Sequence, residues 1–233
     1  MKLRVYNNTL NPELWDENMK LKPEVREVLL KVAEDFYKST ELKGDLIDVL
    51  LLGSSANYNW TPQSDIDLHL LIDVSQEKMH PDHTRKFLDS LAFKWNSQHS
   101  IKIKSHDVEI YLQDIGEINK SVGVYSLLTD AWLREPEKER VELDKEDIKR
   151  KFQRIKHKIE KTIETEDTEK LKDVMSDIRK FRQVGLDKAG EYSSENVVFK
   201  ALRYSGLLKK LKDSINRFYD KQVSINEKEI VKI

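Results

Sequence analysis

The apolar positions first follow a helical spacing and then a strand-like one. From Pro23 to about Gly44 they recur every three or four residues, which predicts a helix with one buried face: Val25, Val28, Leu29, Val32, Ala33 and Phe36. The next apolar run, 46–52, is interrupted only by Asp48 and predicts a strand covered on both faces. It ends at Gly53-Ser54, which predicts a small-residue turn.

A second strand follows the turn and carries two carboxylates at its entry. Side chains at i and i+2 of a strand point to the same face, so Asp65 and Asp67 lie side by side while Ile66 and Leu68 enter the core. Neighbouring anions repel each other, and a divalent cation such as Mg²⁺ is the usual reason to keep them together. The pattern favours metal chemistry.

A third carboxylate comes from a later strand. After a helix expected over 81–97, the segment 101–112 predicts a strand with Asp107, Glu109 and Tyr111 on its polar face. The apolar segment 124–133 then predicts a short helix, and Pro136 closes a first domain, 1–140. Residues 1–22, with Leu14-Trp15, are expected to lie across this domain as an ordered arm.

The second domain, 141–233, is expected to be helical. Helices are predicted from Asp144, over 167–184, and from Ser193 or Ser194, with a turn at Gly185 and Gly190. Three helices would form a bundle, and 222–233 would form a tail. These elements predict an α/β (α+β) fold class, with one modest sheet and a C-terminal helical bundle.

Composition narrows the setting. Charged residues make up 36% of the 233 residues and glycine and proline are few, which suits long solvated helices. There is no cysteine, so disulfide and thiolate chemistry are excluded. No apolar run approaches the ~20 residues of a membrane-spanning helix, and the N-terminus lacks the apolar core of a signal peptide. We therefore expect a cytoplasmic protein.

Charge is unevenly distributed over the near-neutral chain. Residues 145–233 hold 23 Lys and Arg against 16 Asp and Glu, whereas residues 1–144 hold 18 against 26. An acidic half with a metal site and a basic half would suit a polyanionic ligand, and a nucleic acid is one such partner. A charged helical surface kept in water explains the same numbers equally well.

Together these motifs resemble the nucleotidyltransferase superfamily of DNA polymerase β, poly(A) polymerases and aminoglycoside nucleotidyltransferases. The resemblance covers roughly residues 24–112 and rests on Gly53-Ser54, ten residues, Asp65-Ile66-Asp67, and Glu109 on a later strand. Segments 121–136 and 186–208 also resemble nucleotidyltransferase-like proteins of bacteriophages.

The resemblance implies that the sheet of the first domain is small and mixed, and it implies roles for these residues. Asp65, Asp67 and Glu109 would be catalytic and would hold Mg²⁺, or Mn²⁺ in its place, with Glu109 helping to deprotonate the acceptor hydroxyl. The nucleotide-binding group would be Gly53, Ser54 and Ser64. Asp107 shares the face of Glu109 and is the alternative third carboxylate. His69 shares the face of Asp65 and Asp67, either supporting the site or as a hydrogen-bonded histidine of the sheet.

The expected reaction is transfer of a nucleoside monophosphate from an NTP, with ATP as the first choice, to a hydroxyl with release of pyrophosphate. The acceptor is left open among an RNA end, a small molecule and a protein. The alternative function is a nucleotide- or nucleic-acid-binding regulatory protein with a degenerate site, and a partner-binding protein is a third possibility.

Overall fold

The computed structural model describes residues 7–75, 80–119, 121–138 and 143–224. The chain divides into two compact units, Met1–Glu139 and Arg140–Ile233. In its described part the first unit holds these elements: α1 (Pro23–Thr40), β1 (Asp45–Leu52), β2 (Ile66–Asp73), α2 (Pro81–Gln98), β3 (Lys102–Ile103), β4 (His106–Asp114), β5 (Val124–Ser126) and β6 (Ala131–Arg134).

The strands form one mixed sheet in the order β3-β4-β2-β1-β5-β6. Among these strands β2 and β4 run parallel, and each other neighbouring pair is antiparallel. The parallel pair needs a crossover, which α2 provides. The expected mixed α/β fold is confirmed.

Alternation along β2 decides which side chains reach the core. Ile66, Leu68, Leu70 and Ile72 are fully buried and belong to the main apolar cluster, together with α1 and α2 residues such as Leu29 and Leu88. The residues between them point to the opposite face, where Asp67 and His69 are half-buried. The strict alternation therefore separates the main core face from an opposite face that carries Asp67 and His69. Val28, expected in the stripe of α1, is 44% exposed.

The prediction of one continuous strand over 101–112 was wrong. The chain forms a short hairpin, with Lys102 of β3 opposite Asp107 of β4. Lys104 lies in the turn with φ +57°, a left-handed conformation that ends a strand. The alternation read from the sequence is correct only from His106 onward, and there it places Glu109 and Tyr111 on one face.

The helix predicted over 124–133 is a β-hairpin instead. β5 pairs with both β1 and β6, and Asp130 in the connecting turn has φ +52°. A short apolar run does not distinguish a helix from a strand. Here the pairing of β5 with β1 and β6 determines that the segment forms strands. Tyr125 and Trp132 pack against Trp15, with ring centroids 4.9 and 4.7 Å from the Trp15 ring. Within the described part of the arm, residues 7–22, Trp15 therefore packs against the domain, as expected. Residues 1–6 of the arm lie outside the described residues.

The second unit contains four helices in its described part, not the three that were predicted: α3 (Lys145–Ile163), α4 (Thr168–Ala189), α5 (Ser194–Tyr204) and α6 (Leu207–Val223). Gly206 divides the expected last helix, because its φ of +76° is left-handed. Asp144 and Ser193 cap α3 and α5 by accepting backbone N–H bonds, as predicted. Of the expected tail, 225–233 lies outside the described residues.

Gly185 does not form the predicted turn, because it lies inside α4. A Cβ atom at this position would be 2.4 Å from Cβ of Glu195 and 2.7 Å from Oγ of Ser193. Its missing side chain therefore allows the end of α4 to lie close to the start of α5. Gly190 follows the helix with φ +63° and does mark a turn.

Candidate active site

Gly53 brings the turn after β1 into direct contact with Asp67. Its φ of +68° is a conformation that residues with a Cβ atom rarely adopt. A Cβ atom here would lie 1.8 Å from Oδ2 and 2.9 Å from Cγ of Asp67. The expected nucleotide-binding glycine and one expected catalytic carboxylate are therefore neighbours.

Gly53→Ala is expected to destabilise the chain more than Gly206→Ala. Both substitutions place a side chain at positive φ, which costs about 1–2 kcal/mol, but Gly206 has open space around it. Gly53→Ala must also displace Asp67, which adds about 1–3 kcal/mol. Urea unfolding of both variants measures the difference. Equal losses would show that the contact with Asp67 contributes nothing.

Serine hydroxyls fasten the turn after β1 to the loop before β2. Ser54 Oγ donates to Ser64 Oγ at 2.9 Å, and Ser64 Oγ accepts the backbone N–H of Thr61 at 2.9 Å. Ser55 Oγ donates to the carbonyl of Asp65 at 2.5 Å. Ser54 and Ser64 are both buried, and their hydrogen bonds therefore fix the loop that leads into β2. Sequence reasoning missed Ser55.

A buried histidine also holds this loop. His106, at the start of β4, has Nδ1 2.7 Å from the carbonyl of Ser64 and Nε2 2.8 Å from Nδ2 of Asn11. Since a carbonyl only accepts, Nδ1 donates to Ser64, and Nε2 also lies 3.2 Å from Oε2 of Glu13. The residue before Asp65 is thus fixed from the arm and from β4. Neither His106 nor Asn11 carries a sequence signal for this role.

The three predicted carboxylates come together at one end of the parallel strand pair. Asp67 lies directly opposite Glu109 in the register of β2 and β4, and Asp65 precedes β2 by one residue. All three are half-buried. Asp107, the alternative, is exposed and its Oδ1 lies 2.7 Å from Nζ of Lys102, so its charge is already paired.

Tyr111 lies close enough to all three carboxylates for their negative charges to raise its pKa. Its hydroxyl donates to Glu109 Oε2 at 2.7 Å. Its pKa is raised far above the ordinary value, first by burial, then by the hydrogen bond to Glu109 and the charges of Glu109, Asp67 and Asp65. The hydroxyl therefore stays protonated and remains a donor. The alternation of β4 placed Tyr111 on this face, but nothing in the sequence suggested its role.

His69 is a neutral histidine beside Tyr111. Nδ1 is 3.1 Å from Oε1 of Gln113, which must accept, and the His69 and Tyr111 ring centroids are 4.8 Å apart. Burial, the largest effect, lowers the pKa of His69 to about 4. This is a hydrogen-bonded histidine of the sheet that also packs against a residue of the site.

The pKa of His69 predicts a loss of stability in mild acid. As the pH falls from about 6.5, the histidine of the unfolded chain binds a proton first, and His69 of the folded chain follows only near pH 4. The contribution of His69 to the free energy of unfolding is fully present above pH 6.5. Between pH 6.5 and 4 the free energy of unfolding falls by up to about 3 kcal/mol. Urea unfolding in EDTA should show a weaker pH dependence for His69→Gln, whereas the exposed control His157→Gln should match the wild type. Equal slopes in all three would refute the assignment.

The donor set fits a divalent cation in its chemistry and backbone placement. Three carboxylates on adjoining positions are ligands that Mg²⁺ and Mn²⁺ accept, and the contact between Gly53 and Asp67 leaves the turn close to them. In residues 7–75, 80–119, 121–138 and 143–224, however, no three acidic or histidine side chains already form a metal cage. The three carboxylates therefore match a divalent cation in their residue types and in their positions on the strands.

A model of the nucleotidyltransferase domain family matches residues 25–181. This match covers more than half of the chain, and the chain belongs to that family. It extends beyond the 24–112 of the motif resemblance, through α3 and into α4. Membership supports a function in nucleotidyl transfer and a nucleotide substrate in general.

No curated protein and no solved structure gave a significant match to the chain. In the part that the structure describes, no helix combines the length and the apolar character needed to cross a membrane.

Proposed function

We propose that the chain is a divalent-cation-dependent nucleotidyltransferase that transfers a nucleoside monophosphate from an NTP, ATP first, to a hydroxyl. The observation that carries this proposal is the register of β2 and β4, which sets Asp67 beside Glu109 in a nucleotidyltransferase domain. Asp65 completes a set of three carboxylates. Asp65, Asp67 and Glu109 would hold Mg²⁺ or Mn²⁺. When bound, such ions stabilise charge on the attacking and leaving oxygens of an in-line displacement.

The reaction exchanges one bond at phosphorus for another. The acceptor oxygen bonds to the α-phosphorus, and the bond from the α-phosphorus to the oxygen bridging to the β-phosphorus breaks. Pyrophosphate leaves with that electron pair, and Glu109 accepts the hydroxyl proton. Glu109 suits this role because its Oε1 has no polar partner among the described residues. Asp107 is unsuited because Lys102 is paired with it.

The turn after β1 would bind the triphosphate. Gly53 lets the main chain of the turn lie directly against Asp67, so a triphosphate bound at the turn would lie beside the carboxylates. Ser54 and Ser64 would contribute by holding the turn in place, since their hydroxyls are buried and bonded to each other. Backbone N–H groups of the turn would then be the donors to phosphate.

The position of the label in the NTP tests the reaction. The full chain is incubated with Mg²⁺, NTP labelled at the α- or the γ-phosphate, and pools of RNA, small hydroxyl compounds and proteins. We expect the α-label to enter an acceptor and the γ-label to leave as pyrophosphate. Release of γ-labelled orthophosphate alone, or no product from any NTP and pool, would contradict the proposal.

A further inference from the structure

One oxygen of Glu109 is held and the other is left open. Tyr111 donates to Oε2 at 2.7 Å, and Oε1 has no hydrogen-bond or ion-pair partner among the described residues. A carboxylate on a flexible side chain has several rotamers of similar energy, and a hydrogen bond to one oxygen selects among them. The phenol therefore determines where Oε1 points.

Tyr111 is itself held in place from the same face of the sheet. It lies opposite His69 in the register of the parallel strands, with the ring centroids 4.8 Å apart. His69 is bonded to Gln113 at 3.1 Å, and Gln113 Nε2 donates to the carbonyl of Glu117 at 3.3 Å. Because the ring of Tyr111 is held in this way, its hydroxyl has a fixed position from which it can orient the Glu109 carboxylate.

We propose that Tyr111 is a positioning residue that orients Glu109, so that the free carboxylate oxygen is presented beside Asp67 for the acceptor proton and the cation. This inference rests on the proposed function and assigns a residue that the sequence motifs do not contain. Removing a group that orients a metal ligand typically costs about 10–100-fold in affinity or activity. The hydroxyl matters here, and the ring alone would pack in the same way.

Tyr111→Phe removes only the hydroxyl, and Tyr125→Phe is the matched control. Tyr125 also donates to a carboxylate, Asp130, at 2.7 Å, in the hairpin of β5 and β6. Three quantities are measured in each variant: Mn²⁺ binding to the free protein by electron paramagnetic resonance, kcat and KM for pyrophosphate release, and the melting temperature.

For Tyr111→Phe we expect Mn²⁺ affinity and kcat to fall about 10–100-fold, with KM for the NTP changed by less than about threefold. In a chain that already carries Glu109→Gln, kcat should no longer depend on the Tyr111 hydroxyl, so adding Tyr111→Phe should lower kcat no further. Tyr125→Phe should match the wild type in all kinetic and binding measurements. A purely structural hydroxyl would lower the melting temperature and leave affinity and kcat unchanged.

The outcomes separate this inference from the proposed function. An active wild-type chain whose Mn²⁺ affinity and kcat are unaffected by Tyr111→Phe overturns the role of Tyr111 alone. A wild-type chain that releases no pyrophosphate overturns the proposed function, and Mn²⁺ binding then still decides on Tyr111. Full additivity of Tyr111→Phe and Glu109→Gln would also refute the inference, because it would show that the hydroxyl acts elsewhere.

Discussion

Asp67→Asn is expected to lower pyrophosphate release by about 10³-fold, because it removes one negative charge from the centre of the proposed metal site. Asp67 touches the turn at Gly53 and lies opposite Glu109, so no neighbouring carboxylate can take its position. The asparagine has the same shape and cannot balance the charge of a divalent cation. Initial rates of pyrophosphate release at saturating Mg²⁺ measure the effect.

The stability of the same variant should move the other way. Like charges on facing positions of paired strands destabilise a sheet by about 0.2–1 kcal/mol, and Asp67→Asn removes one charge of such a pair in metal-free buffer. We therefore expect equal or higher stability together with lost activity. Asp73→Asn, at the far end of the same strand, where the side chain is half-buried, is the control and should keep full activity. Lost activity through unfolding, or a control equally inactive, would contradict this explanation.

Glu109→Gln is expected to lower kcat by about 10²–10⁴-fold, the range for loss of a general base, whereas Asp107→Asn should change kcat by less than about threefold. The two acids are two residues apart on β4, yet Glu109 faces Asp67 while Asp107 faces Lys102. The pair of variants therefore separates the two alternatives for the third carboxylate. Steady-state kinetics with both variants, at equal Mg²⁺ and NTP, provide the comparison.

A reversed result would be decisive. If Asp107→Asn were the inactive variant and Glu109→Gln the active one, the register of β2 and β4 would not determine the site. If both were fully active, two aspartates alone would be sufficient. The ion pair between Asp107 and Lys102 adds an internal check, because Lys102→Met should behave like Asp107→Asn if that pair only stabilises the hairpin.

Sequence reasoning succeeded where alternation and burial act locally. The alternation of Ile66 and Leu68 with Asp65 and Asp67 fixes the two faces of β2, and the structure shows the same faces. Capping by Asp144 and Ser193 was also foreseen, since side-chain oxygens at helix starts have a local signature. The mixed sheet was expected from the family resemblance, and the structure confirms it.

Sequence reasoning failed where distant partners or single positive φ values decide. β5 is a strand because β1 offers an edge, and β3 ends because Lys104 turns. A local pattern of apolar residues predicts neither of these features. Within the candidate site, the contact of Tyr111 with Glu109 and the bond of His106 to Ser64 depend on strand register and on the packing of the arm. The sequence motifs therefore predicted candidate site residues but not the residues that hold them.

The central claim is that Asp65, Asp67 and Glu109 together bind a divalent cation beside the turn at Gly53. A crystal of the full chain with Mn²⁺ and a non-hydrolysable ATP analogue, with anomalous scattering recorded at the manganese edge, tests it most directly. We predict an anomalous peak within bonding distance of carboxylate oxygens from all three residues, with the triphosphate against the turn. Nucleotide bound elsewhere, or manganese bound without these carboxylates, would contradict the claim.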